Sequence, residues 1–139
     1  MVSRWTCPNC QREFGRPNQW HSCRPSSSVD EYFASRPPVQ RAIYEAIVRQ
    51  FEGIGPVLVD PVNVGVVIKR SRSFAVVRAK RDRLVLEFLL SRAAEHPRIS
   101  RTMRLSANRT AHAVDLTRVE DVDDQVRDWL TEAYQSSPI

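Results

Sequence analysis

The sequence predicts an α+β fold, in which a small Cys-rich head precedes a mostly antiparallel sheet of five or six strands flanked by helices. Three observations carry this reading. All the cysteines, Cys7, Cys10 and Cys23, fall at the N-terminal end of the chain. From Val57 the apolar spacing changes from helical periodicity to β-branched runs of strand length. The connections between those runs are short, as hairpins require.

Taken in order, Arg24-Pro25-Ser26-Ser27-Ser28 is polar and proline-marked, and it divides a head (1–24) from a body (29–139) with a linker over 25–28. Ser28 and Glu31 have capping-box spacing, which predicts a short helix over Val29–Ala34 pinned by Tyr32 and Phe33. After Pro37-Pro38, the apolar residues Val39, Ala42, Ile43, Ala46, Ile47, Phe51 and Ile54 recur at helical spacing until Gly53 and Gly55-Pro56 stop the pattern. Strands are predicted over Val57–Val59, Val64–Lys69, Phe74–Ala79 and Leu84–Leu90. A further hairpin joins Met103–Leu105 to Ala111–Leu116 about Asn108-Arg109. In the third strand Phe74 and Val76 are expected to share a face with Arg78 and Lys80. The last element is an amphipathic helix starting near Asp121, with Val122, Val126, Trp129, Leu130, Ala133 and Tyr134 on one stripe. The acids Asp121, Asp123 and Asp124 suit its N-terminus and need no metal to explain them.

The chain has 139 residues, enough for a body with its own apolar core, and a formal net charge of +5. Charge is unevenly divided. Residues 1–110 carry 19 Lys and Arg against 9 Asp and Glu, and residues 111–139 carry 2 against 7. Arginine outnumbers lysine 19 to 2, and a planar guanidinium suits phosphate, carboxylate or aromatic partners. The alternative is that these are simply solvated surface charges. No apolar run is long enough for a membrane span, and the N-terminus shows no apolar h-region, so neither a transmembrane helix nor a secretory signal is expected. A cytoplasmic setting follows. There an odd number of clustered thiols points to metal rather than disulfides.

Cys7-Pro8-Asn9-Cys10 has the spacing of a metal knuckle, and His21-Ser22-Cys23 supplies a second pair. Together they give Cys-x2-Cys-x10-His-x-Cys, a full tetrahedral set for one structural Zn2+ that uses every thiol in the chain. Three thiolates completed by solvent, with His21 left free, is the alternative. Arg4, Arg12, Arg16 and Arg24 surround the knuckle, interleaved with Trp5, Phe14 and Trp20. That mixture suits phosphate contact and stacking on unpaired bases, although the same aromatics are needed to wrap the metal site.

Part of the head resembles a C2H2 zinc finger through Cys7-x2-Cys10-x3-Phe14-x5-Trp20-x2-Cys23. The resemblance ends at the fourth ligand, since no histidine stands near Ser27, and base-reading positions are not carried over. The chain as a whole resembles a group of uncharacterised bacterial proteins. The shared pattern is Trp5-x-Cys7-Pro8-x-Cys10, Gln19-Trp20-His21-Ser22-Cys23, Tyr32-Phe33, Gly55-Pro56-Val57, Arg72-x-Phe74-Ala75, His112 and Trp129-Leu130-x-x-Ala133-Tyr134. That resemblance implies a compact α+β domain with a zinc head and brings no established activity.

The body lacks a Gly-rich phosphate cradle, and its thiols are claimed by metal, so neither nucleotide hydrolysis nor a Cys nucleophile is expected. The leading reading is a non-enzymatic binding protein for nucleic acid or another polyanion. Lys69, Arg70, Arg72, Arg78, Lys80, Arg81 and Arg83 would supply phosphate contacts in the body, with Arg4, Arg12, Arg16 and Trp20 adding to them from the head. A second reading places a small-molecule pocket or weak enzyme around Arg72, Phe74 and His112, where an imidazole beside Arg and Glu87 would serve acid/base chemistry. A third is an adaptor that docks a partner protein. The sequence sets no oligomeric state.

Overall fold

The computed structural model describes residues 4–8, 13–16 and 28–137. In the head, β1 (Trp5–Thr6) and β2 (Glu13–Phe14) form an antiparallel pair, Trp5 opposite Phe14. The segment that holds Cys7 and Cys10 connects them. Cys10, Arg12, Trp20, His21, Cys23 and the linker up to Ser27 lie outside the described residues.

The body opens with α1 (Val29–Phe33), whose first turn is capped because the Ser28 hydroxyl accepts from the Glu31 amide at 3.0 Å. Tyr32 and Phe33 are buried, as their pinning role requires. In α2 (Pro38–Gln50) the proline stands at the first helical position, where its missing N–H costs nothing. Ile43, Tyr44, Ala46 and Ile47 form the buried stripe, and a 3₁₀ turn over Phe51–Gly53 ends the segment. The strands that follow are β3 (Leu58–Val62), β4 (Gly65–Lys69), β5 (Ser73–Ala79), β6 (Leu84–Leu90), β7 (Ile99–Ser106) and β8 (Arg109–Leu116), before α3 (Asp124–Ser136). They make one six-stranded antiparallel sheet in the order β3-β4-β5-β6-β8-β7.

Boundaries shift from the sequence expectation where local chemistry allows it. β3 continues through Pro61 to Val62, because a proline is tolerated on an edge strand whose N–H has no partner to lose. Gly65 starts β4 beneath β5, where a Cβ would stand 2.4 Å from the Val77 carbonyl oxygen. β7 runs well beyond Met103–Leu105, and the turn after it is Ala107-Asn108, with Arg109 already paired to Ser106. The last helix begins one short turn later than expected. Val119–Asp121 form a 3₁₀ turn, and Asp123 is the cap, accepting from the Val126 amide at 3.1 Å.

One face of the sheet is covered by helices. Val66, Ile68, Ala75, Val77, Leu84, Leu86, Phe88, Val114 and Leu116 join Ile43, Ile47, Phe51, Val126, Trp129 and Leu130 in a single core. A bulge between Ile68 and Lys69 of β4 opposes Ser73 and Ala75 of β5 and leaves Phe74 without a partner. This turns Phe74 into the core, edge-on to Phe51 and Tyr134 at 5.7 Å from each. Phe74 therefore does not share a face with Val76 and Arg78, as simple alternation predicts.

Candidate functional site

Among the described residues no helix covers the opposite face of the sheet. Period-two alternation sends Val76 and Arg78 of β5, Val85, Glu87 and Leu89 of β6, and Ala111, Ala113 and Asp115 of β8 to this side. β7 adds Arg101, Met103 and Leu105, and together they border an open cleft of about 770 Å³. Register aligns Val76, Glu87, Ala113 and Arg101 in one row across four strands. Ala113 is the reason two of them meet: its side chain is too short to separate Arg101 from Glu87, and the ion pair closes over it at 3.5 Å. Arg78 reaches the same carboxylate from the other side at 3.1 Å. Arg83 pairs with Asp115 at 3.3 Å. The lining thus holds four cations, Arg78, Lys80, Arg83 and Arg101, against Glu87 and Asp115, over a floor of Val76, Val85, Leu89, Ala111 and Ala113.

The upper rim is the β5–β6 hairpin, and the first two helices fasten it. The Ala79 amide donates to the Tyr32 hydroxyl at 3.0 Å, and Arg36 donates to the Ala79 carbonyl at 3.3 Å. Gln40, buried at 2% exposure, donates through Nε2 to the carbonyls of Lys80 at 2.7 Å and Arg83 at 3.2 Å. Lys80 and Arg81 are exposed at its tip, and neither has an acidic partner among the described residues. Tyr32, Arg36 and Gln40 were not visible as positioning residues in the sequence. The signal available was a glutamine on the apolar stripe of α2.

The other candidate cations are distributed differently. Lys69 is paired with Asp60 at 3.2 Å, and Arg70 stacks on the Tyr134 ring at 4.4 Å while donating to the Tyr134 carbonyl. Arg4 of the head donates to the Arg70 carbonyl, which brings β1 to this corner of the body. Arg72 and Arg16 are exposed. The acidic tail folds back on the basic body: Arg98 holds Asp123 with two hydrogen bonds at 2.8 and 2.9 Å, and Arg92 holds Glu132 with two at 2.9 Å. Much of the charge division in the sequence is therefore neutralised across the fold.

His112 sits on the helix face. It is fully buried, stacked on Phe88 at 5.3 Å with an interplanar angle of 10°, and Phe88 in turn stacks on Trp129. Its Nε2 accepts from the Ala94 amide at 2.9 Å, so the proton of the neutral ring is on Nδ1. Nδ1 faces the carbonyls of Phe88 and Thr110 without closing a well-aligned hydrogen bond to either. Burial pushes the imidazole below its ordinary value, and those two carbonyls oppose it only in part. Phe74 and His112 border the cleft but, at 1% and 0% exposure, offer it almost no surface. No hydrogen bond or ring contact joins any two of Arg72, Phe74 and His112.

At the start of α3, burial raises the Asp121 carboxyl, but the Thr117 and Arg118 amides and the Thr117 hydroxyl outweigh it and hold the group below the usual carboxylate range. Asp123 is lowered in the same balance, by the Val126 amide and Arg98. These acids are committed to capping. Among the described residues no group of three or more His, Cys, Asp or Glu side chains is placed to hold a metal ion. Cys7 is buried, and its proposed co-ligands Cys10, His21 and Cys23 lie outside the described residues.

A family model described as a domain of unknown function, DUF5655, matches residues 29–137, which is the whole six-stranded body with its three helices. The chain belongs to the DUF5655 family. The match agrees with the resemblance to an uncharacterised group over the body and does not extend to the Cys-rich head. No curated protein and no solved structure matches the chain. No helix among the described residues is long and apolar enough to cross a membrane.

Proposed function

We propose that this DUF5655 protein is a non-enzymatic, zinc-containing binding module that holds an anionic polymer, nucleic acid first among them, on the helix-free face of its sheet. The observation that carries the reading is the cleft lining, where four cations stand against two carboxylates and the hairpin bearing Lys80 and Arg81 is clamped by Tyr32, Arg36 and Gln40. The clamp fixes the backbone that carries these cations, so the hairpin needs no reordering when their side chains meet phosphates, and binding releases counterions. The apolar floor receives the sugar or base faces between phosphates.

Zinc belongs to the same reading. Cys7 is buried directly after β1, and the β1–β2 pair brackets the Cys7–Cys10 knuckle, as a small metal-ordered hairpin would require. Cys7, Cys10, His21 and Cys23 hold the ion, and the ordered head adds Arg4, Arg12, Arg16 and Trp20 to the anion-binding surface. Thiols kept for metal need a reducing compartment, which places the protein in the cytoplasm. The test is binding of full-length protein to single- and double-stranded oligonucleotides across a salt series, with bound metal quantified. A steep salt slope that becomes shallower by about one to two units in the Lys80→Gln, Arg81→Gln double variant is expected. Unchanged affinity and slope in that variant would remove the hairpin from the account.

A further inference from the structure

The two edges of the sheet are unlike. β3 includes Pro61, which has no N–H to donate, and its Asp60 is tied to Lys69 of β4. Those features blunt that edge. β7 has neither a proline nor such a tie. Its register with β8 slips at Ser100 and at Leu105 but is regular from Arg101 to Arg104; every residue after Ile99 is exposed, and Met103 and Leu105, at 56% and 55% exposure, are among the most exposed large apolar side chains of the body. Among the described residues no strand pairs with its outer side; at its two ends the Ile99 amide donates to the His96 carbonyl and the Ser106 carbonyl accepts from Arg104 Nε. The strand carries Arg101 and Arg104 and no acid, and Arg109 opens β8 opposite Ser106. Cations of one sign disfavour pairing of β7 with a second β7, because both arginines would be doubled across the new interface. They favour an acidic strand.

We infer that β7 is a docking edge for an extended acidic segment of a partner protein, which adds to the sheet as an outer antiparallel strand. Backbone hydrogen bonds to β7 supply the affinity, and side-chain complementarity supplies the choice of partner. The register follows from alternation. Arg101, Met103 and Leu105 face the open cleft, and Arg104 faces the other way. A segment running antiparallel from Leu105 to Arg101 is matched by Val-Glu-Val-Thr-Glu, with apolar residues against Leu105 and Met103 and carboxylates against Arg104 and Arg101. Its valines would also extend the apolar floor beyond β7. Backbone pairing along β7 needs neither zinc nor the Lys80–Arg83 hairpin; Arg101, Met103 and Leu105 are shared with the cleft of the polyanion reading, so protection of β7 by the peptide in the Lys80→Gln, Arg81→Gln variant separates the two.

The experiment is amide hydrogen exchange and chemical-shift mapping of the full-length protein with a soluble peptide containing Val-Glu-Val-Thr-Glu, and with a control in which lysine replaces both glutamates. Alternate amides of β7 are expected to slow by at least about tenfold with the acidic peptide. The control should leave them unchanged. Arg104→Glu, a substitution at an exposed side chain, should weaken the acidic peptide by about fivefold. The inference is overturned if the peptide binds without protecting β7, if the lysine control binds equally well, or if neither peptide binds. It is also overturned if β7 amides slow with protein concentration alone, which would give the edge to a second copy, or if only an oligonucleotide protects them.

Discussion

Buried against Phe88 and beside Trp129, His112 is held neutral, and that has a consequence for stability. Its folded value lies below the ordinary 6.5, so between the two values the unfolded chain binds a proton that the native state does not. Its contribution is complete above about pH 6.5 and is lost as pH falls below it, by at most about 1.4 kcal/mol per pH unit. Urea unfolding at successive pH values should show this slope, and His112→Gln should flatten it while lowering stability near neutral pH. A slope unaltered by that substitution would assign the pH dependence to other groups. Asp121 and Asp123 act in a lower window. Their values are depressed, so their contribution persists until pH falls through the carboxylate range below 3.8. Asp123→Ala, which removes both the α3 cap and the Arg98 pair, should cost about 1–2 kcal/mol by urea titration. The sequence showed His112 on a strand in alternation with Val114 and Leu116. It could not show that this register faces the helices, because both faces of β8 carry apolar or small residues.

The β5–β6 hairpin is the element on which the proposed site depends, and Gln40 is its fastening. Gln40→Met keeps the volume but leaves the Lys80 and Arg83 carbonyls without a donor from α2, and it should cost about 1–3 kcal/mol. The same variant should bind oligonucleotide less tightly although no cation has been removed, because the hairpin would no longer be preset. Equal affinity in wild type and Gln40→Met would show that the clamp is structural only. The six strands and three helices were legible from periodicity, caps and turn residues, since each is coded locally by patterns such as Ser28-x-x-Glu31 and the β-branched run of β4. The Phe74 bulge was not. It arises from how β4 and β5 register against each other, a non-local property, and it moves one aromatic from the open face to the core.

Across the whole molecule, the contrast between a basic body and an acidic C-terminal stretch was legible as composition, yet folding brings Asp115, Asp123 and Glu132 onto Arg83, Arg98 and Arg92. The helix-free face keeps four cations against two carboxylates, and Lys80 and Arg81 stand at its rim with no acidic partner among the described residues, a location that no count along the chain could give. Head and body are predicted to be separable. On the proposal that the head holds zinc, metal binding would supply most of the folding energy of so small a module, so a chelator should change the signal of the head and leave the cooperative unfolding of the body within about 1 kcal/mol of its starting value. Near-ultraviolet circular dichroism before and after chelation would read this from Trp5 and Trp20 against Trp129. The measurement that bears most directly on the central claim is amide chemical-shift mapping of the full-length, metal-loaded protein with a single-stranded oligonucleotide at low salt. The account predicts shifts at Val76, Arg78, Glu87, Ala113 and the Lys80–Arg83 hairpin that fade as salt is raised. Shifts confined to the helix-covered face, or none at low salt, would contradict it.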